Sequence, residues 1–225
     1  MQPARGRKNA IKINIMNKFI DAAFTIIESE GVENVTIRKV AVIAGYNSST
    51  LYNYFADLDH LILFACIRYL GDYTRALKGY VRKANNSLDK YLMIWECFCR
   101  YSFERPKIYH LIFFSEHSSS LNNIISEYYN IFNEELEDSP QQIKSMLTGN
   151  DIYSRTLFQF GNCVEEGYFR EEDIGEINEV TILIYQSILT NLLKKNPPYS
   201  KEEALEKAMK YFGKVIEAYQ LPAAE

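Results

Sequence analysis

The sequence predicts an all-α fold, in which a small unit of three helices is followed by a larger helical bundle. Apolar residues recur at helical spacing through most of the 225 residues, whereas alternating strand patterns are scarce. Helix stop and start signals separate these stretches, among them Gly31, Gly45 and a Ser200-x-x-Glu203 capping box. The composition, 47% apolar and 24% charged, is that of a globular chain.

The N-terminal unit is predicted to contain a long helix and two short ones. The first runs from about Ile11 to Glu30, and Gly31 stops it. Thr36 is an N-cap for the second helix, which ends at Gly45. The third spans about Ser48 to Phe55. The inner face of the first helix carries Met16, Phe19, Ile20, Ala23 and Ile27.

Further helices are predicted to form the bundle. A fourth extends from about Leu58 towards Tyr80, and Ser87 caps the next one. Pro106 begins another, which continues through Phe114. The remaining predicted helices of the middle region are 121–136 and 151–166, the latter closed by Gly167.

The last two predicted helices differ in their apolar surface. The segment Val180 to Leu193 is apolar on nearly every face, so it must be covered by its own domain and by a further surface. The final helix begins at Ser200, after two prolines, and carries a single apolar stripe. The stripe consists of Leu205, Ala208, Met209, Phe212, Val215 or Ile216, and Tyr219.

The charge is unevenly distributed. The whole chain has a net charge of −4, but its first 20 positions contain five basic residues and no acidic one. These are Arg5, Arg7, Lys8, Lys12 and Lys18. A basic N-terminus on an acidic body indicates a local anionic partner, for which nucleic acid is one candidate. The alternative interpretation is a solvated tail that binds no partner.

The cysteines and the apolar runs indicate a cytoplasmic protein. Cys66, Cys97, Cys99 and Cys163 lie in apolar helical segments without metal-ligand spacing, as expected for small core residues in a reducing compartment. The longest apolar run near the N-terminus, Leu61 to Ile67, is far shorter than the roughly 20 residues that cross a bilayer. We therefore expect no membrane partner.

The third helix, Ser48 to Phe55, has an unusual composition for a helix. At about 100° per residue, Leu51 and Phe55 share the face that docks on the first two helices. The opposite face and its flanks are polar and uncharged, with Ser49, Thr50, Tyr52 and Asn53. A short polar helix behind a tight turn is what a helix-turn-helix presents to the DNA major groove.

Residues 19 to 61, FIDAAFTIIESEGVENVTIRKVAVIAGYNSSTLYNYFADLDHL, resemble the DNA-binding domain of the TetR family of transcriptional regulators. The shared pattern is a helix with paired alanines, then e-x-G, T-x-R-x-[VI]-A, a-G, T-L-Y-x-[YH]-F and a closing leucine. The resemblance implies that residues 1–57 form a DNA-binding helix-turn-helix domain with a basic arm. Residues 58–225 would form an all-helical ligand-binding and dimerisation domain.

The resemblance also implies residue roles and partners. Thr36 and Arg38 match DNA contacts of the second helix, and the reading-helix contacts match Ser48, Ser49, Thr50, Tyr52, Asn53 and Tyr54. Family members dimerise through their last two helices and bind a small molecule that usually releases them from the operator. The implied protein is a repressor that binds a pseudo-palindromic operator as a homodimer, with a small-molecule effector and no cofactor.

Two positions depart from the family pattern. Ser49 stands where glycine is frequent, which is a mild change. Leu58, between Asp57 and Asp59, stands where a lysine usually grips a phosphate. Loss of one phosphate contact should lower the salt slope of DNA binding by about one. We therefore expect the basic arm to matter more in this chain than in a typical member.

The larger domain offers many candidate ligand contacts, because the chain contains 17 Tyr and 13 Phe. Cavities between bundle helices are frequent ligand sites. The candidates are Trp95, Phe98, Cys99, Phe103, Tyr109, Phe113, Tyr128, Phe132, Phe158, Cys163 and Tyr185. Aromatic residues at helical spacing are also typical of plain core, so the sequence leaves both interpretations open for each of them.

Catalysis receives little support from the sequence. The three histidines lack H-E-x-x-H and E-x-x-H spacing, and no phosphate-binding P-loop or G-x-S-x-G elbow is present. We therefore predict neither an enzyme nor a metal site. The alternative function is an all-α ligand carrier or a protein adaptor with a weakened DNA-binding unit, which Leu58 favours. A salt titration of DNA binding separates these alternatives.

Overall fold

The computed structural model describes residues 3–115, 124–132, 136, 141–149 and 151–222, and every regular element in this part of the chain is helical. The predicted all-α fold is confirmed. The α-helices are α1 (Pro3–Glu30), α2 (Ile37–Ala44), α3 (Ser48–Leu51), α4 (Leu58–Ile67), α5 (Leu70–Val81), α6 (Ser87–Glu104), α7 (Pro106–Phe114), α8 (Ile124–Ile131), α9 (Gln141–Leu147), α10 (Ile152–Leu157), α11 (Gly161–Glu165), α12 (Ile174–Leu192) and α13 (Lys201–Tyr219).

Helix α1 is the centre of the N-terminal unit, since it packs against α2 and α4. Its predicted apolar stripe is buried throughout, with Phe19 and Ala23 fully enclosed. The helix is longer than predicted because it begins at Pro3 instead of about Ile11. Proline favours the first helical position, and the alanine, arginine and lysine residues that follow are good helix formers. The backbone of the predicted arm is therefore helical from Pro3 onward.

Helices α4 and α5 were predicted as one helix and are separate. The chain turns at Arg68 and Tyr69 through tight bonds, in which the amides of Tyr69 and Gly71 donate to the carbonyls of Cys66 and Arg68 over 3.0 Å each. Arg68 pairs with Asp21 on α1, so the break coincides with a contact to the N-terminal unit. The apolar periodicity continues across the break, and for this reason the sequence did not reveal it.

The predicted helix 151–166 is also divided. Asp151 caps α10 and accepts a hydrogen bond from the amide of Ser154 at 2.7 Å, whereas α11 begins only at Gly161. Gly167, at φ 78°, ends this region in the left-handed conformation that glycine favours. The predicted stop at Gly167 is confirmed, and the continuous helix is wrong.

The structure also tests the predicted cap at Ser87 and the predicted helix over 121–136. Asn86, rather than Ser87, caps α6, because its side chain accepts from the amide of Asp89. Ser87 instead donates from both its amide and its hydroxyl to Glu166, at 3.0 and 2.8 Å. The helix predicted over 121–136 is present as α8, and positions 121–123, 133–135 and 137–140 lie outside the described residues.

The bundle is completed by α12 and α13, which pack against each other and against α6. The Ser200 and Glu203 capping box is present in both directions, with bonds of 3.2 and 2.7 Å. The predicted stripe of α13 faces inward, and Ala208 and Phe212 are fully buried. In the part of the chain described, no helix is long and apolar enough to span a membrane.

Candidate nucleic-acid interface and ligand cavity

The start of α2 is fixed by its predicted cap. Thr36 has an extended backbone, and its side chain accepts a hydrogen bond from the amide of Lys39 at 3.3 Å. Val40 and Ala41 on the inner side are buried, whereas Thr36 and Arg38 are exposed. Both predicted contact residues of this helix are therefore available at the surface, at the helix end whose amides favour anions.

The turn between α2 and α3 depends on Gly45. Its φ of 74° and ψ of 31° place it in the left-handed region, and its amide donates to the carbonyls of Ala41 and Val42. A side chain at this position would be strained by the backbone conformation, although the space around it is open. This turn sets the angle at which α3 follows α2.

Helix α3 is shorter than predicted, since only Ser48–Leu51 is α-helical. The next residues continue as hydrogen-bonded turns, in which the amides of Tyr54 and Phe55 both donate to the carbonyl of Leu51 at 3.0 Å. Serine, threonine, asparagine and tyrosine favour helices weakly, which agrees with an early end. The predicted inner face is nevertheless confirmed, because Leu51 and Phe55 are 0% and 2% exposed.

The outer face of the α3 region is polar, as predicted. Ser48, Ser49 and Asn53 are exposed, and 55% of Tyr52 is accessible. Thr50 and Tyr54 are half-buried. The ring of Tyr54 lies 6.5 Å from that of Phe19, so it belongs partly to the core, as its position on the helical wheel indicated.

Helix α4 begins at Leu58, with Asp57 as its N-cap and His60 in its first turn. Asp57 accepts a hydrogen bond from the amide of His60 at 2.7 Å, and Leu58 is half-buried against the core. The Nδ1 atom of His60 accepts from the amide of Ala56 at 3.0 Å. In the neutral ring the proton is therefore on Nε2, which lies 3.9 Å from a carboxylate oxygen of Glu127 on α8.

An aromatic chain connects the end of the α3 region to the larger domain. The ring of Phe64 on α4 lies 5.6 Å from Phe55 and 5.1 Å from His60. On its other side it lies 6.0 Å from Tyr128 on α8. Phe64 is fully buried, so its ring connects the residues that follow α3 with α8 by direct packing.

A polar cluster ties α1 to the start of α7. Glu28 accepts hydrogen bonds from Tyr69 at 2.5 Å and from Arg105 at 2.9 Å, and the Arg105 guanidinium lies 4.7 Å from the Tyr69 ring centre. Burial and the Glu28 carboxylate raise the pKa of Tyr69. Lys107 adds a second link, to Glu33, at 3.1 Å. The N-terminal unit is thus joined to the bundle by charge as well as by packing.

The candidate ligand residues fall into three groups. Trp95 and Phe98 line a small cavity of about 20 Å³, and Phe158 lines a second one of about 20 Å³ beside it. Tyr128 and Phe132 contact each other at 4.7 Å, and the Tyr128 ring also contacts α4. The remaining candidates are buried in the core, namely Cys99, Phe103, Tyr109, Phe113, Cys163 and Tyr185.

The small cavity beside Trp95 and Phe98 has a residue in its wall that the sequence did not single out. Arg155 on α10 lines it and is only 4% exposed. Its guanidinium lies 5.5 Å from the ring centre of Phe113, and one nitrogen donates to the carbonyl of Leu147. The available signal was an arginine beside Ile152 and Thr156 on the apolar side of a helix, where charged residues are rare unless paired.

The four cysteines are buried and free, as predicted for small core residues. Burial raises the pKa of the Cys66 and Cys97 thiols to about 12 and also raises that of Cys99 and Cys163. The reactive thiolate is therefore scarce at neutral pH. Among the described residues, no group of three or more His, Cys, Asp or Glu side chains has a geometry that would hold a metal ion.

Two short helices joined by a left-handed glycine, with a polar outer face on the second, define a helix-turn-helix protein of the kind that binds DNA. Residues 19–63 match the family model described as bacterial regulatory proteins, tetR family. The match begins within α1 and ends within α4, so it concerns the N-terminal unit with its helix-turn-helix. Among curated protein sequences, none matches the chain.

Solved structures of the same fold cover nearly the whole chain. A Mesorhizobium loti protein assigned to the TetR family is 13% identical, over 93% of this chain and 98% of that one, with a TM-score of 0.58. A TetR transcription regulator of Haloarcula marismortui is also 13% identical, over 92% and 99%, at 0.57. PfmR of Thermus thermophilus is 15% identical, over 88% and 97%, at 0.51. These similarities concern the fold.

Proposed function

We propose that this protein is a transcriptional regulator of the TetR family, a repressor that binds a pseudo-palindromic operator as a homodimer and is released by a small-molecule ligand. The observation that carries the proposal is the exposed, uncharged polar face of the α3 region, held behind α2 by the Gly45 turn. Such a surface offers hydroxyl and amide groups to base edges and phosphates, without a charge that would bind every sequence alike.

The proposed DNA contacts lie on two elements of the N-terminal domain, for which we propose the boundaries 1–57. Thr36 and Arg38 reach the backbone or a neighbouring base from the start of α2, and the α3 region reads the groove. Its contacts are Ser48, Ser49, Thr50, Tyr52, Asn53 and Tyr54. Tyr52 is the stronger candidate of the two tyrosines, because more than half of it is accessible whereas Tyr54 packs near Phe19.

The larger domain, 58–225, supplies dimerisation and ligand binding in this proposal. The outer side of α12 includes Leu183, which is 52% exposed in the single chain. A second copy related by a twofold axis would cover this side and place two α3 regions about 34 Å apart, in successive major grooves. The ligand would act through α4, because Phe64 and His60 contact both the α3 region and α8.

Replacement of Leu183 by glutamate is expected to convert the dimer into monomers, because like charges would meet in a symmetric interface without water. Light scattering coupled to gel filtration measures the mass directly. Ile11→Glu is the matched control, since Ile11 is 53% exposed but lies on α1. A Leu183→Glu protein that keeps the mass of a dimer would contradict the proposed interface.

Replacement of Leu58 by lysine is expected to tighten DNA binding and to steepen its salt dependence by about one unit per protomer. The side chain stands at the first position of α4, where Asp57 would still cap the helix. The measurement is the slope of log affinity against log salt concentration. Leu157→Lys adds the same charge on α10 and should leave the slope unchanged. An unchanged slope in Leu58→Lys would place α4 away from the phosphates.

The proposal as a whole is tested by selection of sheared genomic fragments on the purified protein at near-physiological salt. Recovery of a few fragments that share an inverted repeat supports a sequence-specific regulator, and their neighbouring genes indicate the effector. If the protein is dimeric and no sequence is enriched, a ligand carrier or an adaptor becomes the better description.

A further inference from the structure

An open groove of about 600 Å³ lies at the junction between the N-terminal unit and the bundle. The end of α1 and the turn that follows it contribute Glu28 and Val32 to its walls. The first turn of α7 and the end of α12 contribute Ile108 and Leu193. Ligand pockets in proteins measure roughly 300–1,000 Å³, so the groove has room for a small organic molecule that would contact both units.

Part of the groove surface is apolar. Ile27 and Ile108 are each 7% exposed, and Val32, Leu192 and Leu193 are half-buried. The half-buried side chains leave apolar area in contact with water inside the groove. A ligand with an apolar body would remove this area from water, which is favourable.

The polar side chains of the groove carry an excess of positive charge. Four basic and two acidic side chains line it. Both carboxylates are already engaged in contacts within the protein. Glu28 accepts hydrogen bonds from Tyr69 and Arg105, and Glu33 pairs with Lys107. The charge that remains uncompensated is therefore cationic, which makes the groove complementary to an anion.

Lys194 and Lys195 supply this remaining charge. Both are exposed, both line the groove just after α12, and neither has an ion-pair partner within the ranges that the structure describes. An exposed lysine keeps much of its hydration, so each attracts an anion modestly and salt weakens the attraction. The lysines thus determine which charge the groove prefers, whereas the apolar surface contributes most of the affinity.

The two lysines also have a structural role that requires no ligand. They follow the C-terminus of α12, where cations interact favourably with the last carbonyls of a helix. This role predicts a small loss of stability when the lysines are replaced. It predicts no preference of the groove for one charge of an added molecule over the other.

We propose that this groove binds an amphipathic organic anion, with an aliphatic body on the apolar surface and a carboxylate at Lys194 and Lys195. As far as this anion is the effector, the inference rests on the proposed function. Glu28 and Arg105, whose pair of 2.9 Å joins α1 to the start of α7, both line the groove. A ligand there contacts the residues that hold the N-terminal unit against the bundle.

The test is isothermal titration calorimetry of the full-length protein with octanoate and three matched probes. Octanamide has the same aliphatic body without the charge, octylammonium carries the opposite charge, and acetate lacks the aliphatic body. Octanoate is expected to bind saturably, at least about threefold more tightly than octanamide and at least about tenfold more tightly than acetate. Octylammonium should bind no more tightly than octanamide, and added salt should reduce the preference for octanoate.

Three results of this titration would overturn the inference. They are equal affinities for octanoate and octanamide, tighter binding of octylammonium than of octanoate, and no saturable binding of octanoate at millimolar concentration.

Variants assign the binding to the groove. Lys194→Gln together with Lys195→Gln should lower the affinity for octanoate to about that of octanamide and leave octanamide unaffected. Val32→Glu places a carboxylate on the apolar surface and should weaken octanoate more than octylammonium. The matched control is Arg82→Gln together with Lys83→Gln, because these exposed cations also follow the end of a helix, α5, but do not line the groove.

Octanoate binding that the double lysine variant or Val32→Glu leaves unchanged contradicts the inference, as does an equal loss in the Arg82 and Lys83 control. The calorimetry needs no DNA, so it tests the site even if no operator is recovered. With a selected DNA fragment, lysine-dependent octanoate binding that leaves DNA affinity unchanged supports the site and contradicts its role as effector site. Release of DNA by octanoate to the same extent in the double lysine variant supports the repressor and contradicts the groove.

Discussion

Replacement of Ser49 and Tyr52 together by alanine is expected to weaken operator binding by roughly a hundredfold or more, because each lost base contact is worth about 1–3 kcal/mol and occurs twice in a dimer. Both side chains are exposed, and neither belongs to the buried core formed by Leu51 and Phe55. The fold and its thermal stability should therefore be retained. Fluorescence anisotropy with the selected operator fragment, at one fixed salt concentration, measures the change.

The matched control is Thr25→Ala together with Ser29→Ala on α1. Both hydroxyls are exposed and bond back to carbonyls of their own helix, at 2.8 Å each. This control removes the same kind of group from another surface of the N-terminal unit and should leave DNA affinity unchanged. If the Ser49 and Tyr52 variant binds the operator like the original protein, the α3 region does not read the DNA.

The helix-turn-helix could be predicted from the sequence because its determinants are local. Thr36 caps α2 by accepting a hydrogen bond from the amide of Lys39, three positions ahead. Gly45 adopts a backbone conformation that few other residues accept. Leu51 and Phe55 are four residues apart and share a face in any helical or nearly helical conformation. The end of α3 was the exception. Its residues favour the helix only weakly, so a helix that ends at Leu51 and one that ends at Phe55 differ little in free energy.

The breaks in α4–α5 and α10–α11 could not be predicted, because they depend on partners distant in sequence. The first break places Tyr69 against Glu28, 41 residues away. Near the second, Asn178 on α12 donates to the carbonyl of Tyr153 at 3.1 Å, across 25 residues. Apolar periodicity reports which side of a helix is buried and contains no information on such contacts.

The candidate cavity shows the same limit. The sequence predicted an aromatic interior, and the residues named are mostly buried. Only the assembled structure shows that Trp95 and Phe98 line a small cavity and also contact the buried ring of Tyr185, at 5.6 and 5.2 Å. Arg155 became visible because the structure buries it without a carboxylate partner among the described residues. Burial of a single charge is a property of the assembled bundle and not of its helices.

Replacement of Phe64 by alanine is expected to lower the free energy of unfolding by about 3–5 kcal/mol, the usual effect of removing a buried phenylalanine ring. For a chain of this size, a loss of that order lowers the midpoint of thermal unfolding by about 10 °C. The ring is fully buried and contacts Phe55, His60 and Tyr128 at once. Thermal unfolding followed by circular dichroism measures the effect.

Phe158→Ala is the control, since 57% of this side chain is exposed and its loss should change stability by less than about 1 kcal/mol. Equal effects of the two variants would mean that the contacts of Phe64 contribute no more to stability than those of a surface ring.

Phe64→Leu separates packing from coupling, because leucine retains most of the apolar volume but lacks the ring contacts. Its stability should lie closer to that of the original protein. If α4 transmits the ligand signal through this ring, Phe64→Leu will bind DNA normally and respond less to the ligand.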